Sequence, residues 1–163
     1  MNIFVLDRNP EVAAQQQCDK HVVKMILESA QMLCTAHREL DGDHCDQLGF
    51  YRSTHKNHPC AKWVRESMHN YRWLWIHMMA LGKEYTYRYG KEHLTIKKLG
   101  KLLERLPHNI PRSMMTEFPQ CMPDEYKSDN IVEAYQSYYI NEKASIATWN
   151  KTRAQPEWFN AQI

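Results

Sequence analysis

The sequence predicts an all-α fold, a compact single domain with a short extended N-terminal arm, and three observations support this. Apolar residues in segment 10–38 follow the 3.6-residue spacing of an amphipathic helix, and apolar residues after Pro59 follow the same spacing. Asn9-Pro10 and Ser128-Asp129 are typical helix starts. A polar cap accepts a hydrogen bond from an unpaired N–H group in the first turn, and proline has no N–H that needs a partner there. The residues on the two faces are Val22, Met25, Ile26, Ser29, Met32, Leu33 and Ala36, and Trp63, Ser67, Tyr71, Leu74 and Met78.

The first part of the chain divides into an arm, a long helix and a loop. Residues 1–6 form a short apolar segment that we expect to be extended. The helical pattern then runs from Pro10 to about Leu40, with a break near Cys18-Asp19. Residues 44–57 show no period and are the expected functional loop.

The second part of the chain contains two further long helices. Pro59 opens the first of them and Gly90 ends it, and a shorter lysine-rich helix is expected around 94–106. Four prolines in segment 107–123 indicate an irregular connector. The last helix runs to about Trp149. Because no repeat or low-complexity tract divides the chain, we expect one domain that spans residues 1–163.

Composition restricts the class of function. The formal net charge of +2 is by itself weak evidence for nucleic-acid binding, although a local basic patch is sufficient for it. No apolar run has the length of a membrane span or signal peptide, so we expect no membrane partner. Five cysteines indicate a reducing compartment and hence a cytoplasmic protein. With five glycines and no glycine-rich phosphate loop, no nucleotide cofactor is expected.

A polar stripe lies beside the apolar face of the first long helix. It contains His21, Lys24 and Glu28, followed by Gln31 and Thr35. A titratable histidine with lysines on both sides and a carboxylate further along is suited to moving protons or holding an anion. The alternative is an ordinary solvated helix face. We favour the functional interpretation.

Zinc binding is an alternative use of the same helix. Cys18 with His21, and Cys34 with His37, are ligand pairs of the types that zinc prefers. The two pairs are separated by roughly 24 Å along a continuous helix, and the apolar period between them argues against a break. We therefore expect no bound metal. A nucleophilic cysteine is also disfavoured, because cysteines in helices are more often small core residues.

The C-terminal tail has the composition of a nucleic-acid-binding surface. Basic and aromatic residues alternate in segment 149–159, which contains Arg153. Such a surface can follow phosphates and stack bases, while the same aromatic side chains can instead dock the tail on the core. Tyr51 and Trp63 are further candidates for stacking against an extruded base.

Several short motifs carry a resemblance to a known family. The arm Met1–Leu6 precedes a helix rich in alanine and glutamine. In segment 18–31, charged residues are followed by apolar residues. Lys56-Asn57-His58-Pro59 is expected to form a turn. The tail adds Gln155-Pro156-Glu157-Trp158. In these features the chain resembles the pyrimidine-dimer DNA glycosylases of the endonuclease V type. The turn resembles an Asn-His-Pro element of bacterial members.

The resemblance implies an all-α protein that binds and bends duplex DNA and cleaves the base–sugar bond of a lesion. The nucleophile is then the α-amine of the N-terminal residue, Met1, or Asn2 if the methionine is removed. It forms an imine with C1′ of the sugar, assisted by a glutamate, and elimination of the 3′ phosphate can follow. An α-amine ordinarily has a pKa of about 8, so a useful fraction is nucleophilic at working pH.

The chain departs from the family pattern in the polar stripe. His21 falls at the position of the family's catalytic glutamate, and Lys20 at that of the preceding arginine. We expect His21 to transfer protons, and Glu28 to orient it or to stabilise positive charge in place of the missing glutamate. Lys20 and Lys24 are expected to hold phosphate. His58 completes the expected site, with Asn57 holding its turn.

The leading hypothesis is therefore a monomeric DNA N-glycosylase or abasic-site lyase that acts on a damaged or modified base. Three alternatives stay open. One is an enzyme that uses the same His/Lys cluster on a small nucleotide or nucleoside, which predicts little salt-dependent affinity for DNA. The others are a non-catalytic DNA-binding module and a structural zinc protein.

Overall fold

Two long helices pack against each other at the centre of the fold. The computed structural model describes residues 1–160, so the last three positions of the predicted domain lie outside the described residues. Residues 1–160 contain no β-strand, which confirms the predicted all-α class. The helices are α1 (Pro10–Gln16), α2 (Asp19–Asp41), α3 (Pro59–Glu66), α4 (Met68–Tyr89), α5 (Ile131–Glu142) and α6 (Glu157–Asn160).

Shorter helical turns connect these elements. Three are 3₁₀ helices and one, after α4, is a π-helical turn where the sequence predicted a lysine-rich α-helix. Segment 107–123 is irregular, as its prolines predicted. Across the part of the chain that the structure describes, every helix is too short or too polar to cross a bilayer. The 3₁₀ helices are Asp43–Leu48, Leu102–Glu104 and Asp124–Tyr126, and the π-helical turn is Ile96–Gly100.

The start of α1 and the break before α2 follow the sequence signals. The Asn9 side chain accepts hydrogen bonds from the backbone N–H groups of Glu11 and Val12, which caps α1. Gln17 and Cys18 are extended, so the predicted break separates α1 from α2. After this break, His21 and Glu28 on α2 contact the N-terminal arm.

Two predicted helices had wrong boundaries. The helix opened by Pro59 is interrupted at Ser67, which is extended and whose hydroxyl accepts from the His69 N–H and so caps a new helix, α4. The last helix is capped by Asn130 rather than by Ser128-Asp129. It ends at Glu142, well before the predicted end near Trp149. By contrast, Gly90 ends α4 as predicted, in the left-handed conformation that favours glycine (φ 73°).

The N-terminal arm is part of the hydrophobic core. Ile3, Phe4, Val5 and Leu6 are all buried and contribute to the same cluster of side chains as the central helices. Because burial of large apolar side chains is the main favourable term in folding, the arm is held firmly. The first residue of the chain is thereby held beside α2.

Candidate active site at the N-terminus

The arm reaches its position through the side chain of Asn2. Its Oδ1 accepts from the backbone N–H groups of Ile3 (2.8 Å) and Phe4 (3.2 Å), and its Nδ2 donates to the carbonyl oxygen of Cys121 (2.9 Å). Phe4 has a φ of 59°, which is unusual for a large side chain. Such a conformation persists only where the surroundings fix it, and here the hydrogen bonds of Asn2 and the buried arm do so.

The α-amine of Met1 faces the carboxylate of Glu28. The two groups approach within 3.3 Å, between the Met1 nitrogen and Glu28 Oε1, and the Glu28 side chain is largely buried. Oε1 has no hydrogen-bond partner among residues 1–160, so its contact with the amine is an ion pair. On the other oxygen, Oε2, Lys24 Nζ lies 3.7 Å away. The site therefore holds the N-terminal amine in an ion pair with a largely buried carboxylate.

His21 lies behind this pair and is uncharged. Its ring stacks on Phe4 with centroids 4.4 Å apart, and its Nδ1 lies 2.5 Å from the hydroxyl oxygen of Tyr139. Burial, followed by the charges of Lys143 and Lys24, lowers the pKa of His21 to about 3. At neutral pH the ring thus carries no positive charge, and it supports the aromatic wall formed by Phe4.

A cavity of about 130 Å³ opens beside these groups, and its lining includes all four predicted catalytic residues. The structure brings together five residues that the sequence analysis had selected, and it adds Phe4, Met25, Tyr138 and Lys143. Lys143 Nζ lies 5.1 Å from the centre of the Tyr138 ring, within cation–π distance. Lys143 follows α5, far from the stripe in sequence, so no periodic signal connected the two. The selected residues in the lining are Met1, Asn2, His21, Lys24 and Glu28.

His58 lies at the edge of the site. It is the N-cap of α3, and its Nδ1 accepts from the backbone N–H of Cys60 (3.1 Å). Burial and then the charge of the N-terminal ammonium lower the pKa of His58, so the ring is electrostatically coupled to the amine. It does not line the cavity. Asn57 is exposed in the preceding turn, and its side chain makes no hydrogen bond to residues 1–160.

Four other predicted binding residues are not brought to the cavity. Trp63 is buried in the core, where its ring stacks on Phe118 at 4.8 Å, so it cannot also stack on a base. The Tyr51 hydroxyl lies 3.0 Å from Thr95 Oγ1. The remaining two are Lys20, which is exposed at the start of α2 outside the cavity lining, and Arg153, which binds Glu84 and packs over Tyr87.

Comparison with known proteins identifies one family. The family model described as pyrimidine dimer DNA glycosylase matches residues 1–97 of the chain. The matched region covers the arm and α1 to α4, and therefore includes Met1 and Glu28. No curated protein and no solved structure matches the chain.

Proposed function

The chain belongs to the pyrimidine dimer DNA glycosylase family, and from this premise we propose that its N-terminal α-amine attacks the sugar of a damaged or modified nucleotide in duplex DNA. One observation carries the proposal. Inside a small cavity, the Met1 nitrogen lies 3.3 Å from Oε1 of a largely buried glutamate, Glu28. A nucleophilic amine needs a neighbouring base to take its proton, and the carboxylate is in place to do so.

The proposed reaction starts with proton transfer from the Met1 ammonium to Glu28. The neutral nitrogen then bonds to C1′ as the glycosidic bond breaks, and the base leaves with the bonding electrons and takes up a proton. Glu28 then donates its proton to O4′ as the C1′–O4′ bond breaks, which opens the sugar ring and gives a protonated imine between the chain and C1′. Loss of a proton from C2′ then allows the 3′ phosphate to leave, which is the lyase step of the same proposal.

Glu28 has a second role in this scheme. Once Glu28 has passed the proton from Met1 on to O4′, it is a carboxylate again, and its negative charge stabilises the positive charge of the protonated imine. His21 is uncharged at neutral pH and cannot do this. The proposal therefore assigns the family's glutamate role to Glu28, and treats His21 as a positioning residue that holds Phe4 through ring stacking.

Two lysines supply the contacts to phosphate. Lys24, on α2, has a side chain that is 70% exposed, and Lys143 approaches the same cavity from the end of α5. Because they come from different elements, they can contact the DNA backbone at two points around the extruded nucleotide. Each phosphate contact releases a counterion, so binding should weaken as salt is raised.

The test is borohydride trapping with duplexes that carry an abasic site, a pyrimidine dimer or one of a panel of modified bases. The undamaged duplex of the same sequence is the control. We expect a covalent adduct with the abasic duplex and with at least one modified duplex, and none with the control. DNA binding without an adduct on any duplex would instead indicate a binding module. A lack of both binding and adduct would favour an enzyme acting on small nucleotides.

A further inference from the structure

Two cysteine side chains meet next to the arm although they are far apart in sequence. The sulfur atoms of Cys60 and Cys121 are 3.4 Å apart. Cys60 lies in the first turn of α3 and is fully buried, while Cys121 lies in the irregular segment 107–123 and is partly exposed. A disulfide has an S–S bond of about 2.05 Å, so a shift of about 1.4 Å would close one here.

We propose that Cys60 and Cys121 form a redox-modification site at which hydrogen peroxide converts the two thiols into a reversible disulfide. The bond would join α3 to the segment whose Cys121 carbonyl oxygen holds the Asn2 side chain. Oxidation of the pair would therefore take place next to the residues that hold the N-terminal amine in position.

Cys121 is the thiol that reacts first. It is the only one of the five cysteines that is not buried, so peroxide can reach it. The hydrogen bond from the Cys60 thiol, with a smaller contribution from the Tyr135 hydroxyl, lowers the pKa of Cys121 to about 7. The same interaction, together with burial, raises the pKa of Cys60. Because the thiolate is the nucleophile, Cys121 attacks and Cys60 then resolves the product.

The reaction balances in two steps. The Cys121 thiolate attacks one peroxide oxygen, the O–O bond breaks, and the products are a sulfenic acid on Cys121 and hydroxide. The Cys60 sulfur then attacks the sulfenic sulfur, which forms the S–S bond and releases water once the hydroxyl takes up the Cys60 proton. In sum, two thiols lose two electrons and two protons, and one hydrogen peroxide becomes two waters.

A zinc site is the competing interpretation of the same cluster. The ligand atoms of His58, Cys60 and Cys121 all lie within 4.8 Å of one another. However, His58 Nδ1 already accepts the Cys60 backbone N–H, which places the ring proton on Nε2 and leaves no free lone pair for a metal. Structural zinc also takes four ligands, and the cluster offers three within the described residues. The geometry therefore favours the thiol pair.

The test compares the full-length reduced wild type with three variants, Cys60→Ser, Cys121→Ser and the control Cys45→Ser, which removes a buried cysteine outside the pair. Each protein is treated with hydrogen peroxide, quenched with catalase and alkylated. Intact mass and peptide mapping then locate the remaining thiols. We expect wild type and Cys45→Ser to lose two hydrogens, to give one cross-linked peptide that contains Cys60 and Cys121, and to recover both thiols with dithiothreitol.

Cys60→Ser and Cys121→Ser should give no such cross-link. If Cys60→Ser does not fold, Cys121→Ser still tests the proposal, because its substitution lies in an irregular and partly exposed segment. The proposal is overturned if peroxide leaves both thiols of folded wild type free to alkylate, or drives Cys121 to the sulfinic acid without a cross-link. Stoichiometric zinc in the purified protein would overturn it too. Because the disulfide is read by mass, this result is independent of glycosylase activity.

Discussion

Glu28 and Glu84 are both buried carboxylates, but their surroundings differ. Glu84, on α4, accepts hydrogen bonds on both oxygens, from Nε of Arg88 and from Nε and Nη2 of Arg153, at 2.8–2.9 Å. Glu28, on α2, faces the Met1 amine at 3.3 Å and Lys24 Nζ at 3.7 Å, and its Oε1 has no hydrogen bond within residues 1–160. The first carboxylate is fixed by hydrogen bonds from two arginines, whereas the second is held by ion pairs beside a cavity.

This difference separates a structural role from a chemical one. A buried charge with every partner in place fixes the fold, and removing one partner leaves an uncompensated charge. An acceptor without a hydrogen bond costs stability, and such groups concentrate where chemistry needs them. We therefore expect the Glu84 cluster to stabilise the fold and the Glu28 site to carry the chemistry.

The largest expected effect is on stability, in Glu84→Gln. This change leaves Arg88 buried with one carboxylate partner fewer and should lower the free energy of unfolding by about 3–5 kcal/mol. Urea denaturation followed by circular dichroism measures the loss. Glu92→Gln, at an exposed carboxylate, is the matched control and should change stability by less than about 0.5 kcal/mol. A loss in Glu84→Gln as small as the control's would remove the structural half of the contrast.

Glu28→Gln should affect the chemistry more than the stability. The amide keeps the shape of the side chain but cannot take the amine proton, so the rate of borohydride-trapped adduct formation should fall about 10²-fold. Unfolding free energy should also fall, but by less than in Glu84→Gln, because the N-terminal ammonium loses one ion pair whereas Glu84→Gln removes hydrogen bonds to two arginines. The control is Glu39→Gln, on the same helix but bound to Ser53 and Lys56 outside the cavity. An unchanged trapping rate in Glu28→Gln would contradict the chemical role.

The third prediction concerns pH and His21. Its pKa is about 3 in the folded state against an ordinary value of 6.5, so the unfolded chain binds the proton more readily between these values. Stability should therefore fall as pH drops from about 6.5 towards 3. His21 should contribute about 1.4 kcal/mol per pH unit to that slope. His21→Gln should show a shallower slope by this amount in denaturation series between pH 6 and 4, and an identical slope would show that the ring is not buried and neutral.

The smallest effect is expected for Lys143→Met. Loss of one phosphate contact should weaken binding of an abasic duplex several-fold and reduce the slope of log K against log salt by about 1. Fluorescence anisotropy at several salt concentrations measures both quantities. Lys83→Met, next to Glu84 in sequence, is the control and should leave the slope unchanged. Equal effects of the two substitutions would place the DNA-binding surface elsewhere.

Local sequence signals predicted several of the helix ends. Asn9-Pro10, the break at Cys18 and the glycine at position 90 each determine the backbone within one turn, and each was confirmed. The split at Ser67 was missed because it depends on a distant contact, the hydrogen bond from the Ser67 hydroxyl to the Ser113 carbonyl. The spacing of apolar residues along one helix gives no information about such a contact.

The sequence predicted only the part of the candidate site that lies on a single helix. The spacing of His21, Lys24 and Glu28 placed them on one face of α2, and the structure puts all three at the cavity. The sequence did not distinguish which of them faces the amine, because that depends on the path of the arm. Lys143 comes from a separate helix, so only the tertiary fold brings it to the site.

Peptide mapping of the borohydride-trapped adduct identifies the nitrogen that attacks the sugar. We expect the DNA-derived mass on the α-nitrogen of the N-terminal residue, with Lys24 and Lys143 unmodified. An adduct on the Nζ atom of either lysine would show that the amine beside Glu28 is not the nucleophile.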